Sequence, residues 1–131
     1  MVHAAGFRDL LVYRKAKQSA DRIYEITKTF PKEETYSLTD QLRRSSRSIG
    51  AQVAEAWAKR RYRRHFISKL TDADAELQET KHWLDIAVSS GCLLADEAAQ
   101  LDSELSEIGR MLNGMIQKAQ MFCMMEQHSD H

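Results

Sequence analysis

The chain has 131 residues and carries 19 basic and 19 acidic side chains, with five glycines and one proline. This length suits a single domain with one core, and so few turn-forming residues exclude an all-β or βαβ architecture, which leaves helices. The zero net charge excludes a global attraction to nucleic acid or to anionic membranes.

The first two helices are predicted from apolar periodicity and from the residues that begin and end them. Apolar residues recur at steps of three and four over residues 7–30, and Pro31 predicts the end of this helix, because proline disfavours helical backbone in the residue before it. The second helix is predicted over residues 37–60. Ser37 and Asp40 resemble a capping box at its start.

The boundary between the second and third helices carries no glycine or proline. If the apolar stripe of the second helix continued in phase, Arg60 and Arg63 would lie in the core, where unpaired charges are costly. We therefore expect a turn within residues 59–64. One long helix through this region is the alternative.

The third helix is predicted over residues 65–90, with Gly91 as its left-handed cap, and the fourth over residues 96–125, followed by a tail at 126–131. The fourth segment keeps a 4-3 apolar alternation, which favours packing at shallow angles. Four such helices joined by short loops predict one all-α domain over residues 1–131, an antiparallel up-down-up-down four-helix bundle.

Several helices carry apolar residues outside their main stripe, which predicts self-association. A helix that is apolar on two sides exposes the second side, and exposed apolar surface is typical of interfaces. Tryptophan and methionine are enriched there, so the predicted interface residues are Trp57, Trp83, Met111 and Met121. The alternative is that these residues only widen the core.

Charge is unevenly distributed along the chain. Nine basic residues and one acid, Glu55, lie between Arg43 and Lys69, whereas residues 72–107 contain ten acids and one basic residue, Lys81. Such asymmetry produces a local field that the zero sum conceals.

The basic segment predicts a nucleic-acid interface, because guanidinium and ammonium groups neutralise phosphates and the aromatic residues among them can stack on unpaired bases. In one alternative, the arginines of the turn pair with Asp72, Asp74 or the acids of a neighbouring subunit. In another, Arg44 bridges subunits by pairing with interface carboxylates such as Glu55 or Glu76. The predicted nucleic-acid-binding residues are Arg43, Arg44, Arg47, Lys59, Arg60, Arg61, Arg63 and Arg64.

Catalytic and metal motifs are poorly represented. Glu79 and His82 form the Glu-x-x-His motif of di-metal bundles, but such a site needs a second pair, which the sequence lacks. We therefore expect no enzyme activity, cofactor, metal or small-molecule substrate. The sequence also has no signal pattern or membrane span, and its two scattered cysteines suit a reducing compartment, so we expect a cytoplasmic protein.

The run Leu-Thr-Asp-Gln-Leu-Arg-Arg-Ser-Ser-Arg-Ser-Ile at residues 38–49, with Phe7, Tyr13 and Phe30-Pro31, resembles the family of proteins encoded in intervening sequences of bacterial 23S rRNA genes, also called S23 ribosomal proteins. The resemblance implies a left-handed antiparallel four-helix bundle that assembles as a barrel-like homopentamer. It also implies kinship in fold with the accessory protein of diversity-generating retroelements, a basic pentamer that binds nucleic acid and a reverse transcriptase. Neither relationship implies catalytic residues.

The sequence departs from this resemblance at one place. Where many relatives have Asn-Ile-Ala-Glu-Gly, this chain reads Gln-Val-Ala-Glu-Ala at residues 52–56, so the second helix is expected to continue through Trp57 and Lys59. The sequence as a whole predicts a non-enzymatic, ring-like homo-oligomer that binds RNA or other nucleic acid through its basic turn. The alternative is a structural or protein-interaction oligomer with no nucleic-acid role.

Overall fold

The computed structural model describes residues 4–123. Within this range it contains four α-helices and no β-strand, which confirms the all-α class. Short 3₁₀ turns lie at Phe7–Asp9, Lys32–Glu34 and Ala119–Met121, and a π-helical turn at Thr35–Thr39 leads into the second helix. The four helices are α1 (Leu11–Thr27), α2 (Asp40–Ala58), α3 (Arg63–Ser89) and α4 (Ala95–Gln117).

Contacts between neighbouring helices run in opposite sequence directions. The Thr80 hydroxyl of α3 donates to Ser45 Oγ near the start of α2 (2.9 Å), whereas Lys69, earlier in α3, pairs with Glu55, later in α2 (3.0 Å). The same order relates the other neighbouring helices. Their contacts are Tyr13 beside Gly50, Arg43 with Thr27, Lys15 with Glu107, Arg22 with Glu104, Leu77 beside Gly109, and Phe66 with Phe122.

The core consists of one apolar stripe from each helix. In α4 the predicted 4-3 alternation is buried, and its burial removes several leucine-sized side chains from water, each contributing about 1.5–3 kcal/mol. The stripe of α3 is buried along the whole helix and faces it. The buried apolar residues of these two helices are Phe66, Leu70, Ala73, Leu77, Leu84, Ala87, Leu101, Leu105, Ile108, Leu112 and Met115.

The first helix is shorter than the predicted range of 7–30. Leu10 has extended backbone (φ −73°, ψ 128°), which separates the first 3₁₀ turn from α1. At the other end the helix stops at Thr27, because the amides of Lys28, Thr29 and Phe30 donate to carbonyls three residues back and tighten the chain before Pro31. Phe30 turns back into the core.

The predicted capping box at Ser37 is wrong. Ser37 Oγ donates to the Glu34 carboxylate (2.7 Å) and lies inside the π-helical turn that leads into α2. The residue before α2, Thr39, already has helical backbone (φ −58°, ψ −49°), so the chain enters the helix without the break that a side-chain cap serves.

The turn between α3 and α4 forms as predicted around Gly91, which has φ +79°. The Gly91 amide donates to the Val88 carbonyl (3.0 Å) and the Cys92 amide to the Ala87 carbonyl (2.9 Å), the pattern of a Schellman cap.

The fourth helix ends at Gln117 instead of residue 125, since Lys118 leaves helical backbone (φ −110°, ψ 31°) before the last 3₁₀ turn. Residues 124–125 and the predicted tail 126–131 lie outside the described residues. No helix within residues 4–123 has both the length and the apolar character needed to cross a bilayer.

Candidate nucleic-acid interface

The predicted turn between α2 and α3 is present and consists of residues 59–62. The Arg60 amide donates to the Trp57 carbonyl (3.3 Å) and the Tyr62 amide to the Lys59 carbonyl (3.1 Å). Tyr62 has extended backbone (φ −123°, ψ 120°) and directly precedes α3. The alternative of one long helix is therefore excluded, and α2 reaches Trp57, with Lys59 at its cap, as the lost glycine of the family pattern suggested.

The Arg60 side chain interacts with Trp57 of the same chain. Its Nε donates to the Trp57 carbonyl (2.8 Å), and its guanidinium lies 3.5 Å from the centroid of the Trp57 ring. Partial burial lowers the pKa of Arg60 from its ordinary value, although the group stays charged at neutral pH. Arg60 therefore serves to cover the Trp57 ring.

Three other basic residues at this turn project into solvent. Lys59, Arg61 and Arg64 are exposed, and within residues 4–123 no carboxylate lies within ion-pair distance of them. Arg63 is half-buried and already interacts within the chain. These five basic residues, Lys59, Arg60, Arg61, Arg63 and Arg64, are called the basic end below.

Aromatic side chains accompany these charges. Tyr62 is 46% exposed and meets the His65 ring edge to face, with 5.4 Å between the ring centroids. Trp57, by contrast, is only 8% exposed. Tyr62 is thus the large aromatic ring of this turn that solvent and ligands reach.

The arginines of α2 form a separate group around Tyr24. Arg43 Nε donates to Thr27 Oγ1 (2.7 Å), and the guanidiniums of Arg43 and Arg47 lie 4.4 Å and 5.2 Å from the Tyr24 ring centroid. Arg44 is exposed and pairs loosely with Asp40 (3.6 Å). Even Arg47, the last residue of this group, lies twelve residues before Lys59, about 18 Å along the helix. The eight predicted residues are therefore two groups.

Tyr24 of α1 is 36% exposed and lies under the guanidiniums of Arg43 and Arg47 of α2. This contact, called the Tyr24 clamp below, joins two helices, so the periodicity of either helix alone does not predict it. Long-range pairs of this kind are invisible to single-helix patterns.

Among residues 4–123 no ion pair joins Arg60, Arg61 or Arg64 to Asp72, and Lys69 pairs with the nearby acids instead. Its Nζ lies 3.0 Å from Glu55 and 3.9 Å from Asp72, and it also donates to Gln52 (3.2 Å). Among the described residues Arg44 pairs with Asp40 and not with Glu76. Burial, with Glu79 and Asp72 nearby, raises the pKa of Glu76 above its ordinary value despite the opposing effect of Arg44.

Acidic residues gather at the other end of the bundle. Glu33 and Glu34 lie in the loop between α1 and α2, and they lie close enough to Cys92, in the α3–α4 turn, to raise the pKa of its thiol, adding to the larger effect of burial. Asp96 and Glu97 open α4 from the same turn. Asp85, one turn before the end of α3, brings the number of carboxylates here to five, and these five are called the acidic end below.

The four predicted interface residues differ in exposure. The expectation that Trp57 presents an exposed face is wrong, because Arg60 covers it. Trp83 is half-buried and donates from Nε1 to Glu79 (3.2 Å). Met121 is 44% exposed. Met111 is half-buried and lines an open apolar cavity of about 290 Å³.

That cavity lies between the start of α1 and the end of α4. Its lining is almost entirely apolar, with Leu10, Leu11, Met111, Met115 and Phe122 among its walls. Leu11 is 52% exposed at its rim. It is called the apolar groove below.

The Glu-x-x-His motif has a different arrangement from a metal site. Glu79 accepts the Trp83 indole hydrogen, and the His82 ring packs edge to face on the same indole, with 4.8 Å between centroids. Among residues 4–123 no three His, Cys, Asp or Glu side chains come together in a way that could hold a metal ion.

The described residues thus form a small all-α protein with a basic turn at one end and an acidic turn at the other. The family model described as 23S rRNA-intervening sequence protein matches residues 8–114. The chain therefore belongs to this family, as the run at residues 38–49 predicted.

The solved structures include a protein with unknown function from the S23 ribosomal protein family of Bacteroides thetaiotaomicron VPI-5482. It is 29% identical to this chain, with a TM-score of 0.74, and the match covers 82% of this chain and 96% of that one. A comparison with curated proteins finds no match.

Proposed function

We propose that this protein is a non-enzymatic homo-oligomer that binds RNA through its basic end. The observation that carries the proposal is the set of three exposed cations, Lys59, Arg61 and Arg64, that no carboxylate of residues 4–123 neutralises. Contacts between such cations and phosphates release counterions and supply affinity without sequence preference. The family description refers to 23S rRNA, which makes RNA the first nucleic acid to test.

The proposal includes the assembly that the family resemblance implies. The four helices form a left-handed up-down-up-down bundle, supported by contacts that run in opposite sequence directions, and five copies close into a ring. The apolar groove, with Leu11 at its rim, offers the surface that such an assembly would cover. A ring repeats the basic end by symmetry, and one RNA strand that reaches two copies gains avidity.

The test compares two double variants with the same change in net charge. Arg61→Glu with Arg64→Glu reverses the basic end, and Lys28→Glu with Lys32→Glu makes the equivalent change beside the acidic end. RNA affinity is measured by fluorescence anisotropy over a salt series, and the mass by light scattering. We expect the first pair to weaken binding by about tenfold or more and to flatten the logarithmic salt dependence by about 0.7 per lost contact. The second pair should change little.

The second candidate function is a structural oligomer without an RNA role. It is favoured by the Tyr24 clamp, since Arg44 and Arg47 project from α2 where a neighbouring subunit's acids could reach them. If the wild-type protein retains no RNA and the change of Arg61 and Arg64 to Glu dissolves the oligomer, this candidate replaces the first. The cytoplasmic location expected from the sequence stays a prediction.

A further inference from the structure

We infer that the basic end binds an unpaired RNA strand and that Tyr62 is the ring on which a base stacks. This inference names the ligand class of the proposed RNA site and rests on that proposed function. It goes beyond charge, because exposed cations alone bind paired and unpaired strands alike.

The structure discriminates between the two aromatic rings near the turn. The Trp57 face is taken by the Arg60 guanidinium at 3.5 Å from its centroid, where a base would otherwise lie. Tyr62 is 46% exposed, and the His65 ring meets it at an interplanar angle of 63°. A ring in such a contact has at most one of its two faces covered by the partner ring, whichever ring supplies the edge. Tyr62 therefore offers the accessible face.

Tyr62 also lies among the exposed cations. Arg61 precedes it directly, Lys59 is three residues before it and Arg64 is two residues after it. A strand that follows these charges with its phosphates brings its bases within reach of the tyrosine, as in other single-strand sites that combine basic grooves with aromatic platforms. In a duplex the neighbouring base pairs cover the base faces, so a duplex gains nothing from Tyr62.

The acidic end supplies a matched control. Tyr36 is 92% exposed, twice the exposed fraction of Tyr62, but it directly follows the loop that carries Glu33 and Glu34. A tyrosine whose neighbouring charges are mainly acidic, with Lys32 offset by Glu33 and Glu34, should not recruit a polyanion. Removing the Tyr36 ring tests whether any exposed aromatic contributes.

The experiment measures binding of a labelled, unstructured 12-nucleotide RNA and of the same RNA annealed to its complement. The variants are Tyr62→Ala, Tyr62→Phe and Tyr36→Ala. We expect Tyr62→Ala to weaken binding of the unpaired strand about fivefold or more, the lower range for one stacked base, with an unchanged salt dependence. Tyr62→Phe should retain affinity because the ring remains. Tyr36→Ala, and duplex binding by Tyr62→Ala, should be unaffected.

The possible failures are distinguishable. Equal losses for duplex and single strand, or no loss with Tyr62→Ala while the change of Arg61 and Arg64 to Glu abolishes binding, overturn the stacking role and leave the RNA site intact. No binding of either RNA by the wild-type protein overturns both. Thermal unfolding of each variant shows whether the fold is retained, and Tyr62→Phe repeats the comparison with the least change in structure.

Discussion

The two ends of the bundle differ in charge, in turn chemistry and in the state of their aromatic residues. The basic end is a turn of arginines and lysine with negative φ throughout, whereas the opposite turn needs Gly91 at φ +79°. The basic end has Trp57 covered and Tyr62 open, and the acidic end has Glu33 and Glu34 beside the exposed Tyr36. The difference shows that a chain with zero net charge can carry electrostatic potentials of opposite sign at its two ends.

Ion pairs along the sides of the bundle cancel charge there, which leaves the electrostatic fields at its two ends. Basic residues along the helices pair with acids of neighbouring helices, as Lys15 does with Glu107 and Lys81 with Asp102. Exposed pairs of this kind contribute only about 0–1 kcal/mol each. They nevertheless cancel charge locally, whereas Lys59, Arg61 and Arg64 of the basic end have no ion pair within residues 4–123.

The largest expected effect comes from the ring stack beneath the basic end. Phe66 is fully buried and stacks on Phe122, with 5.7 Å between centroids. Phe66→Ala should lower the free energy of unfolding by about 3–5 kcal/mol, because it removes a large ring and leaves a cavity. Phe122→Ala, at a half-buried ring, should cost less. Urea denaturation compares them, and equal losses would show that the last 3₁₀ turn is as essential as α3.

The turn at the acidic end should be sensitive to its backbone. Gly91→Ala should destabilise the protein by about 1–2 kcal/mol, because a side chain disfavours the left-handed backbone there. An added Cβ would meet nothing within 4 Å at Gly91 or at Gly114, so packing does not enter. Gly114→Ala lies inside α4 and should stabilise the protein by about 0.4–1 kcal/mol. Two shifts of the same sign in thermal unfolding would contradict this comparison.

Arg60 and Arg61 should separate stability from binding at the basic end. Arg60→Ala removes the hydrogen bond to the Trp57 carbonyl and the stacked cation, and it should cost about 1 kcal/mol. Arg61→Ala, at an exposed side chain, should change stability by less than about 0.5 kcal/mol. Trp57 emission, recorded in a Trp83→Phe background, should shift to longer wavelength only for Arg60→Ala. A similar shift for Arg61→Ala would show that both residues cover the ring.

The smallest expected effect is on the reactivity of Cys92, which depends on the negative charges of the acidic end. Burial raises the pKa of the Cys92 thiol, and Glu34 and Glu33 raise it further, so the folded protein holds this proton more tightly than the unfolded chain. Alkylation should therefore be slow at pH 8 and should accelerate as the pH rises through and beyond the ordinary thiol pKa of 9.0.

The charges of Glu33 and Glu34 can be removed without changing the size of their side chains. In a Cys123→Ser background, Glu33→Gln with Glu34→Gln should accelerate alkylation of Cys92 about twofold, since each charge acts through screened solvent. Arg61→Gln, at the opposite end, should leave the rate unchanged. A change with Arg61→Gln would mean that the two fields are not separate.

Much of the fold follows from local periodicity. The stripes of α3 and α4 repeat within one helix, so the sequence predicts them, and the phase of Arg60 and Arg63 predicts the turn. The entry into α2 differs because Ser37 bonds the Glu34 side chain instead of a helix amide. Cap geometry of that kind depends on the approach of the preceding loop, which periodicity does not specify.

The candidate site was predictable in composition and less so in arrangement. The sequence predicts the cluster of cations, but it does not show that Arg60 covers Trp57 or that Arg43 bonds to Thr27, sixteen residues away. Nor does it show that Lys69 takes the acids expected to pair with the turn arginines. These outcomes depend on which helices are neighbours, and thus on tertiary packing.

The negative φ of residues 59–62 bears on how this scaffold can diversify. L-amino acids other than proline adopt such backbone without strain, so positions 59, 61 and 62 accept many side chains as long as Arg60 stays over Trp57. Chains of this fold can thereby vary the side chains of this turn while keeping the same helices.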